Sequence, residues 1–203
     1  MDRKMKSRAP ANHSGTDSGK HSGDQSGTNA GTPHVAGGDL LRDVRRPTPQ
    51  DFDIRIAADG RWYHEGGEIT RPALVRLFAS VLQREPDGTY WLVTPVERGR
   101  IDVDDVPFIM IAADIKGDGT DQVIRLRSNV ADEIVLGPDH QLVMRRPPDG
   151  DDLRPYVMIR PGLEGRIARP VFYELAALGV EGPDGRIGVW SAGTFHCLDG
   201  DTA

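Results

Sequence analysis

Gly66-Gly67-Glu68-Ile69-Thr70-Arg71-Pro72 runs straight into Ala73-Leu74-Val75-Arg76-Leu77-Phe78-Ala79-Ser80-Val81-Leu82, and the reading of this stretch decides the fold. The chain states it twice. Glu164-Gly165-Arg166-Ile167-Ala168-Arg169-Pro170 leads in the same way into Val171-Phe172-Tyr173-Glu174-Leu175-Ala176-Ala177-Leu178. Gly67, Ile69, Arg71, Pro72 and Leu77 recur as Gly165, Ile167, Arg169, Pro170 and Leu175, each 98 residues later. Pro86-Asp87-Gly88 recurs 97 residues later as Pro183-Asp184-Gly185. A period of about 98 residues is too long for a solenoid repeat and suits a small subdomain used twice. The alternative is a chance match, at five positions, between two hairpin-plus-helix units of a common kind.

The pairing extends upstream. Phe52-Asp53-Ile54-Arg55-Ile56, the turn Asp59-Gly60 and Trp62-Tyr63-His64 precede the first copy. Gln141-Leu142-Val143-Met144-Arg145, the turn Pro148-Asp149-Gly150 and Tyr156-Val157-Met158-Ile159 precede the second. Asp-Gly pairs supply the positive φ that tight hairpins need. Leu74, Val75, Phe78, Val81 and Leu82 form one apolar stripe at helical period, with Thr70 as the expected N-cap, Pro72 in the first turn and Pro86-Asp87-Gly88 as the stop. Tyr90–Thr94, Pro107–Asp114, Asp121–Arg127, Glu133–Leu136 and Gln141–Met144 read as strands, the last two joined by the turn Gly137–His140. Strands grouped around one helix per copy predict an α+β fold. It comprises two small, mainly antiparallel domains related by duplication, a strand-strand-helix-strand unit used twice. The expected borders are a disordered tail at 1–48, an N-terminal repeat domain at 49–105 and a C-terminal repeat domain at 106–203.

The tail is expected because Ser14 to Gly38 holds almost no large apolar residue and cannot offset its ordering entropy. Its basic start, Arg3, Lys4, Lys6 and Arg8, lacks the apolar stretch of a signal peptide, and no later run approaches a membrane span. The single cysteine, Cys197, excludes an intrachain disulfide. The expectation is a soluble cytoplasmic protein without membrane association. Residues 1–50 carry eight Lys/Arg against five acids while the whole chain is −6, leaving −9 on the remainder. Such an acidic body disfavours bulk nucleic acid as a partner, whereas a small anion in a local arginine pocket stays compatible with it.

Several motifs are decoys. Asp114-x-Lys116-x-Asp118-Gly119-x-Asp121 imitates a calcium loop, but lysine fills the third position and Arg125 the twelfth, so a hairpin turn is expected. Neither a phosphate loop nor a dinucleotide fingerprint occurs. His196-Cys197 places neighbours on opposite faces of a strand, which argues for a packed cysteine and against a nucleophile with its base. His13, His21, His34, His64 and His140 lack metal-ligand spacing, and no metal or cofactor is expected.

Two clusters carry chemistry. Thr94-Pro95-Val96-Glu97-Arg98 and Arg127-Ser128-Asn129 each follow a strand and offer hydroxyl, carboxylate, amide or guanidinium groups. They read either as turn residues satisfying loop backbone or as the lining of an anion-binding cleft. Arg71 and Arg169 both precede a helix-start proline and are expected to anchor that loop to a carboxylate. Trp62, Trp91 and Trp190 could stack on a base, although tryptophan in an apolar strand is more often core.

Gly60-Arg61-Trp62-Tyr63, Ile69 to Leu77, Tyr90 to Glu97, Ser128-Asn129-Val130-Ala131-Asp132-Glu133 and Gly137-Pro138-Asp139-His140 together resemble the DUF1285 family of bacterial proteins. Arg160-Pro161-Gly162-Leu163-Glu164, Arg169 to Leu175 and Gly188-Val189-Trp190-Ser191-Ala192-Gly193 extend the resemblance over nearly all of the chain after residue 50. Ser128 stands where the family motif has threonine, and keeps the hydroxyl. The resemblance implies a duplicated core, a C-terminal part only superficially pleckstrin-homology-like, a nucleotide-type ligand at the inter-domain seam and a role in signal transduction. It establishes no catalytic residue. Thr94, Glu97, Arg127 and Asn129, with Arg71 and Trp62, are the positions that could face such a seam.

Three readings remain open. The favoured one is a non-enzymatic small-ligand sensor. The second is an enzyme on a nucleotide-like substrate, with Glu97 as the named acid or base. The third is a protein-interaction module that docks a protein partner by its tail or a sheet edge.

Overall fold

The computed structural model describes residues 48–148 and 150–200, which lie in one compact unit, residues 45–203. The expected tail, with His13, His21 and His34, falls outside the described residues apart from Thr48, as does Asp149. The fold is a mostly-sheet α+β arrangement with two β-rich halves and few helices.

The first half runs β1 (Pro49–Ile56), β2 (Trp62–His64), β3 (Gly67–Glu68), α1 (Pro72–Ser80), β4 (Leu82–Arg84), β5 (Tyr90–Val93) and β6 (Arg98–Val103). Its six-stranded sheet has the order β3-β2-β1-β6-β5-β4, antiparallel except where β1 meets β6. Trp62, Ile54, Ile56, Leu82, Leu92 and Ile101 are buried, and Phe78 of α1 stacks on Trp62 with centroids 6.2 Å apart. Such a pair adds about 0.5–1.5 kcal/mol beyond its burial.

Two expectations about α1 need correction. Arg71, not Thr70, is the N-cap residue, and no side chain caps the helix. The helix also stops at Ser80, so Pro86-Asp87-Gly88 closes the β4–β5 hairpin instead. Val81 and Leu82 fit a helical stripe and a strand equally well in sequence. Pairing decides, because Leu82 lies opposite Leu92 and the Val93 N–H reaches Val81 O at 3.0 Å.

The second half begins with β7 (Phe108–Lys116), β8 (Val123–Ser128) and β9 (Glu133–Val135). It continues through β10 (Leu142–Arg145), β11 (Arg154–Arg160), β12 (Leu163–Ile167), α2 (Arg169–Ala176), β13 (Val180–Glu181), β14 (Ile187–Ser191) and β15 (Thr194–Cys197). One sheet has the order β10-β11-β12-β7-β8-β9, with β12 and β7 parallel; the other is β13-β14-β15. The expected alternation of β8 holds, with Ile124, Leu126 and Ser128 buried and Val123, Arg125 and Arg127 exposed. Gly117 and Gly119, both at positive φ, turn the chain between β7 and β8 through a single 3-10 turn, Gly119–Asp121.

β9 and β10 do not pair as neighbours; they are opposite edges of the six-stranded sheet. A flat sheet of that size is about 24 Å across. The link is a tight turn in which Gly137 and His140 exchange backbone hydrogen bonds at 3.3 and 3.2 Å, so the sheet must curl. The small sheet fills the gap. Ser191 Oγ accepts the Ile124 N–H at 2.9 Å and donates to Leu136 O at 2.7 Å. On the other side, His196 Nδ1 accepts the Leu142 N–H of β10 at 3.2 Å.

The order β1 to β6 in the first half is matched by β10 to β15, each with its helix after the third strand. The unit, three strands, a helix and three strands, is therefore longer than the strand-strand-helix-strand expected; its two-residue strands, Gly67-Glu68 and Val180-Glu181, carry no readable period. Turns match in detail. Glu85 N donates to Thr89 O and Gly88 N to Glu85 O, as Gly182 N does to Arg186 O and Gly185 N to Gly182 O. Where β1 and β6 share a parallel ladder, β10 and β15 lie side by side without one, and the His196 imidazole supplies the hydrogen bond.

Candidate functional site

The two halves meet at the β1–β2 turn. Ala57 N donates to Arg61 O at 2.9 Å, Gly60 N to Ala57 O at 2.8 Å, and Arg61 N to Asp59 Oδ1 at 3.0 Å. Gly60 sits at φ +82°, and a Cβ there would stand 2.6 Å from Ile109 Cγ1 and 2.8 Å from Asn129 Nδ2. Only glycine fits such an approach. Asn129 fastens it, donating from Nδ2 to Gly60 O at 3.0 Å and accepting the Ile109 N–H on Oδ1 at 3.1 Å.

Beside this junction opens a cavity of about 550 Å³, within the range of small-molecule pockets. The turn of the first half contributes Asp59, while the second half contributes Arg154 at the start of β11, Arg166 near the end of β12, and Arg169 and Phe172 of α2. The Ala168 N–H bonds Met110 O at 3.0 Å, continuing the β12–β7 pairing into the start of α2 and fixing that wall. The Arg169 side chain is exposed and makes no hydrogen bond or ion pair with any described residue. Asp59 is engaged by Arg61 at 2.7 Å, and this hydrogen bond holds its carboxyl below the usual carboxylate range. The lining thus includes three arginines and a phenylalanine, residue types suited to an anion that also carries a flat apolar group.

Beneath the wall lies a buried polar chain. Arg166 Nη2 donates to Ala58 O at 2.6 Å, and its Nε lies 3.5 Å from Asp105 Oδ2. The Asp105 side chain is 1% exposed and accepts the Tyr156 hydroxyl at 2.9 and 3.2 Å. Burial, with the Asp105 carboxylate adding to it, pushes the Tyr156 hydroxyl up to about 12, so it remains a donor at neutral pH. Arg145 covers the Tyr156 ring at 3.6 Å and pairs with Glu164 at 2.9 Å.

The six residues expected at the seam divide. Asn129 and Trp62 line a smaller pocket of about 260 Å³ on the other side of the β1–β2 turn. Trp62 is 1% exposed and serves the core, with its Nε1 buried and without a partner among the described residues. Thr94 and Glu97 close the β5–β6 turn, where Thr94 Oγ1 accepts the Glu97 N–H at 3.0 Å. Arg127 lies exposed on β8, opposite Glu133 and Ala112. None of these three lines the large cavity. Arg71 is exposed at the N-cap of α1, and neither it nor Arg169 reaches a carboxylate among the described residues, so the expected anchoring role does not hold.

The other tryptophans are occupied. Trp91 donates to Thr89 Oγ1 at 2.8 Å under the Arg98 guanidinium, and Trp190 packs edge-on to Phe195. His64 is exposed at the end of β2, and His140 bonds Met158 O through Nδ1 at 2.7 Å. Cys197 is half-buried, with burial raising its thiol.

Arg154 and Arg166 escaped the sequence reading. One signal was available for the second: Glu68 in the first matched stretch becomes Arg166 in the other, a charge reversal inside otherwise similar residues.

No helix of the described residues is long and apolar enough to cross a membrane. Two family models match: the DUF1285 N-terminal domain, a domain of unknown function, over residues 45–106, and the DUF1285 C-terminal domain, from a protein of unknown function, over 107–198. No curated protein matches the chain. The structure is similar to that of a DUF1285 family protein from Silicibacter pomeroyi DSS-3, with 44% identity and a TM-score of 0.70, over 75% of this chain and 82% of that one. A DUF1285 family protein from Shewanella baltica OS155 is 24% identical with a TM-score of 0.47, over 61% of this chain and 89% of that one. Matched by both models over most of its length, the chain belongs to the DUF1285 family.

Proposed function

We propose that this protein is a non-enzymatic, cytoplasmic small-ligand-binding protein that takes a nucleotide-type anion in the cavity between its halves and acts in signal transduction. The supporting observation is the junction cavity of about 550 Å³, where Arg154, Arg166 and Arg169 stand beside Phe172. A phosphate matches the guanidinium forks, and a base matches the aromatic face. Folding both halves from one duplicated unit, with domains at 49–105 and 106–203, explains why a concave seam exists at all. In this reading the C-terminal domain is pleckstrin-homology-like only in outline. Glu97, the acid or base of the enzyme alternative, closes an exposed turn away from the cavity, which disfavours that alternative.

The test is a thermal-shift screen of the full chain against mononucleotides, cyclic nucleotides and dinucleotides. A compound present at 100 times its dissociation constant stabilises by about 2.7 kcal/mol. For a body of about 150 residues that is a shift of roughly 5–11 °C. The shift should vanish in Arg169→Ala and persist in Arg127→Ala. No shift with any nucleotide at millimolar concentration would sink the reading and leave docking of a protein partner as the alternative.

A further inference from the structure

Arg166 is restrained by the Ala58 carbonyl and by the carboxylate of Asp105, whose side chain is 1% exposed. Its Nη2 is spent on Ala58 O, while its Nη1 makes no hydrogen bond to a described residue. Its Nε is buried without a hydrogen-bond partner among the described residues, 3.5 Å from a carboxylate that is itself almost fully buried. The desolvation of a buried carboxylate can exceed what a simple ion pair returns. Asp105 stands at the crossing from the first half to the second, and Tyr156 grips both of its oxygens. The Tyr156 ring is pinned in turn under Arg145, which Glu164 holds.

We infer that Asp105 and Tyr156 are positioning residues for anion binding: they orient the Arg166 guanidinium so that it presents its remaining donors to a phosphate in the cavity. This rests on the anion-site reading above. The geometry makes an unusual demand on sign. Asp105 is a negative charge close to the site, so by charge alone its neutralisation strengthens anion binding. If it positions Arg166, neutralisation weakens anion binding instead. Tyr156→Phe isolates the same effect without altering any charge, and keeps the ring beneath Arg145.

The experiment is calorimetric titration of the full chain with AMP and with adenosine, for the wild type, Asp105→Asn and Tyr156→Phe. Adenosine lacks the phosphate, so a general loss of structure lowers both affinities, whereas a misplaced Arg166 lowers only that for AMP. The expected result is an AMP-over-adenosine preference reduced about tenfold in each variant, the scale of one charge-assisted hydrogen bond. A preference unchanged or increased in Asp105→Asn overturns the positioning role while leaving the anion site intact. Failure of the wild type to bind AMP overturns both. Should Asp105→Asn not fold, Tyr156→Phe decides alone by the same ratio.

Discussion

Lowering the pH from 7 to 4 should weaken the fold through one side chain, His196. The residue is 2% exposed, and Nδ1 accepts the Leu142 N–H, so the proton sits on Nε2, which is buried without a partner among the described residues. An imidazolium has no acceptor to offer Leu142, and burial drives the ring's pKa from 6.5 down to about 4. The folded state therefore holds the neutral ring while the unfolded chain takes up a proton. The contribution is present above pH 6.5, fades as pH falls through about 4, and levels off below both values. Integrated over that window it is about 2 kcal/mol by pH 5 and about 3 kcal/mol by pH 4. The comparison is Asn at position 196, whose Oδ1 can take the place of Nδ1 but does not titrate. Urea unfolding of wild type and His196→Asn between pH 7.5 and 4 should show the wild type losing about 2 kcal/mol more by pH 5. Parallel curves would refute the claim that His196 closes the gap between β10 and β15 as a neutral acceptor.

Other perturbations bear on the junction. Asn129→Ala strips partners from Gly60 O and the Ile109 N–H and should cost about 2–4 kcal/mol in urea unfolding, well above an ordinary surface change. Gly60→Ala meets both a positive φ and Ile109 at 2.6 Å, and should cost about 2–3 kcal/mol by the same measure, whereas Gly66→Ala, also at positive φ but with open space around it, should cost only about 1 kcal/mol. Glu97→Gln should leave both stability and nucleotide binding within error, because the turn uses the Glu97 backbone and not its carboxylate; a loss of binding would return that turn to the site.

The architecture was legible where backbone chemistry leaves a mark in sequence. Asp59-Gly60, Asp87-Gly88 and Asp184-Gly185 all close hairpins with the glycine at positive φ, and Pro72 opens a helix. Short-range pattern failed where pairing partners decide, as at Val81-Leu82, and where strands of two residues carry no period. The turn Gly137–His140 reads as joining two strands, but nothing local says that those strands are sheet edges brought together by curling. The site was harder. A seam was foreseeable from two matched halves, but its lining depends on which face of β12 and α2 turns toward the β1–β2 turn. Asn129 stands out in sequence because it follows a strand, and its side chain bonds Gly60 O and the Ile109 N–H across the seam. Arg169 reads as an anchor, whereas it lines the cavity and makes no hydrogen bond or ion pair with a described residue.

The most direct measurement is amide NMR of the isotopically labelled full chain during titration with AMP. Binding in the seam predicts saturable shifts gathered at Asp59, Arg154, Arg166, Ala168, Arg169 and Phe172, with the β5–β6 turn and the outer face of β8 unmoved. Shifts gathered instead around Thr94 and Glu97 or around Arg127, or an unchanged spectrum at millimolar AMP, would contradict it.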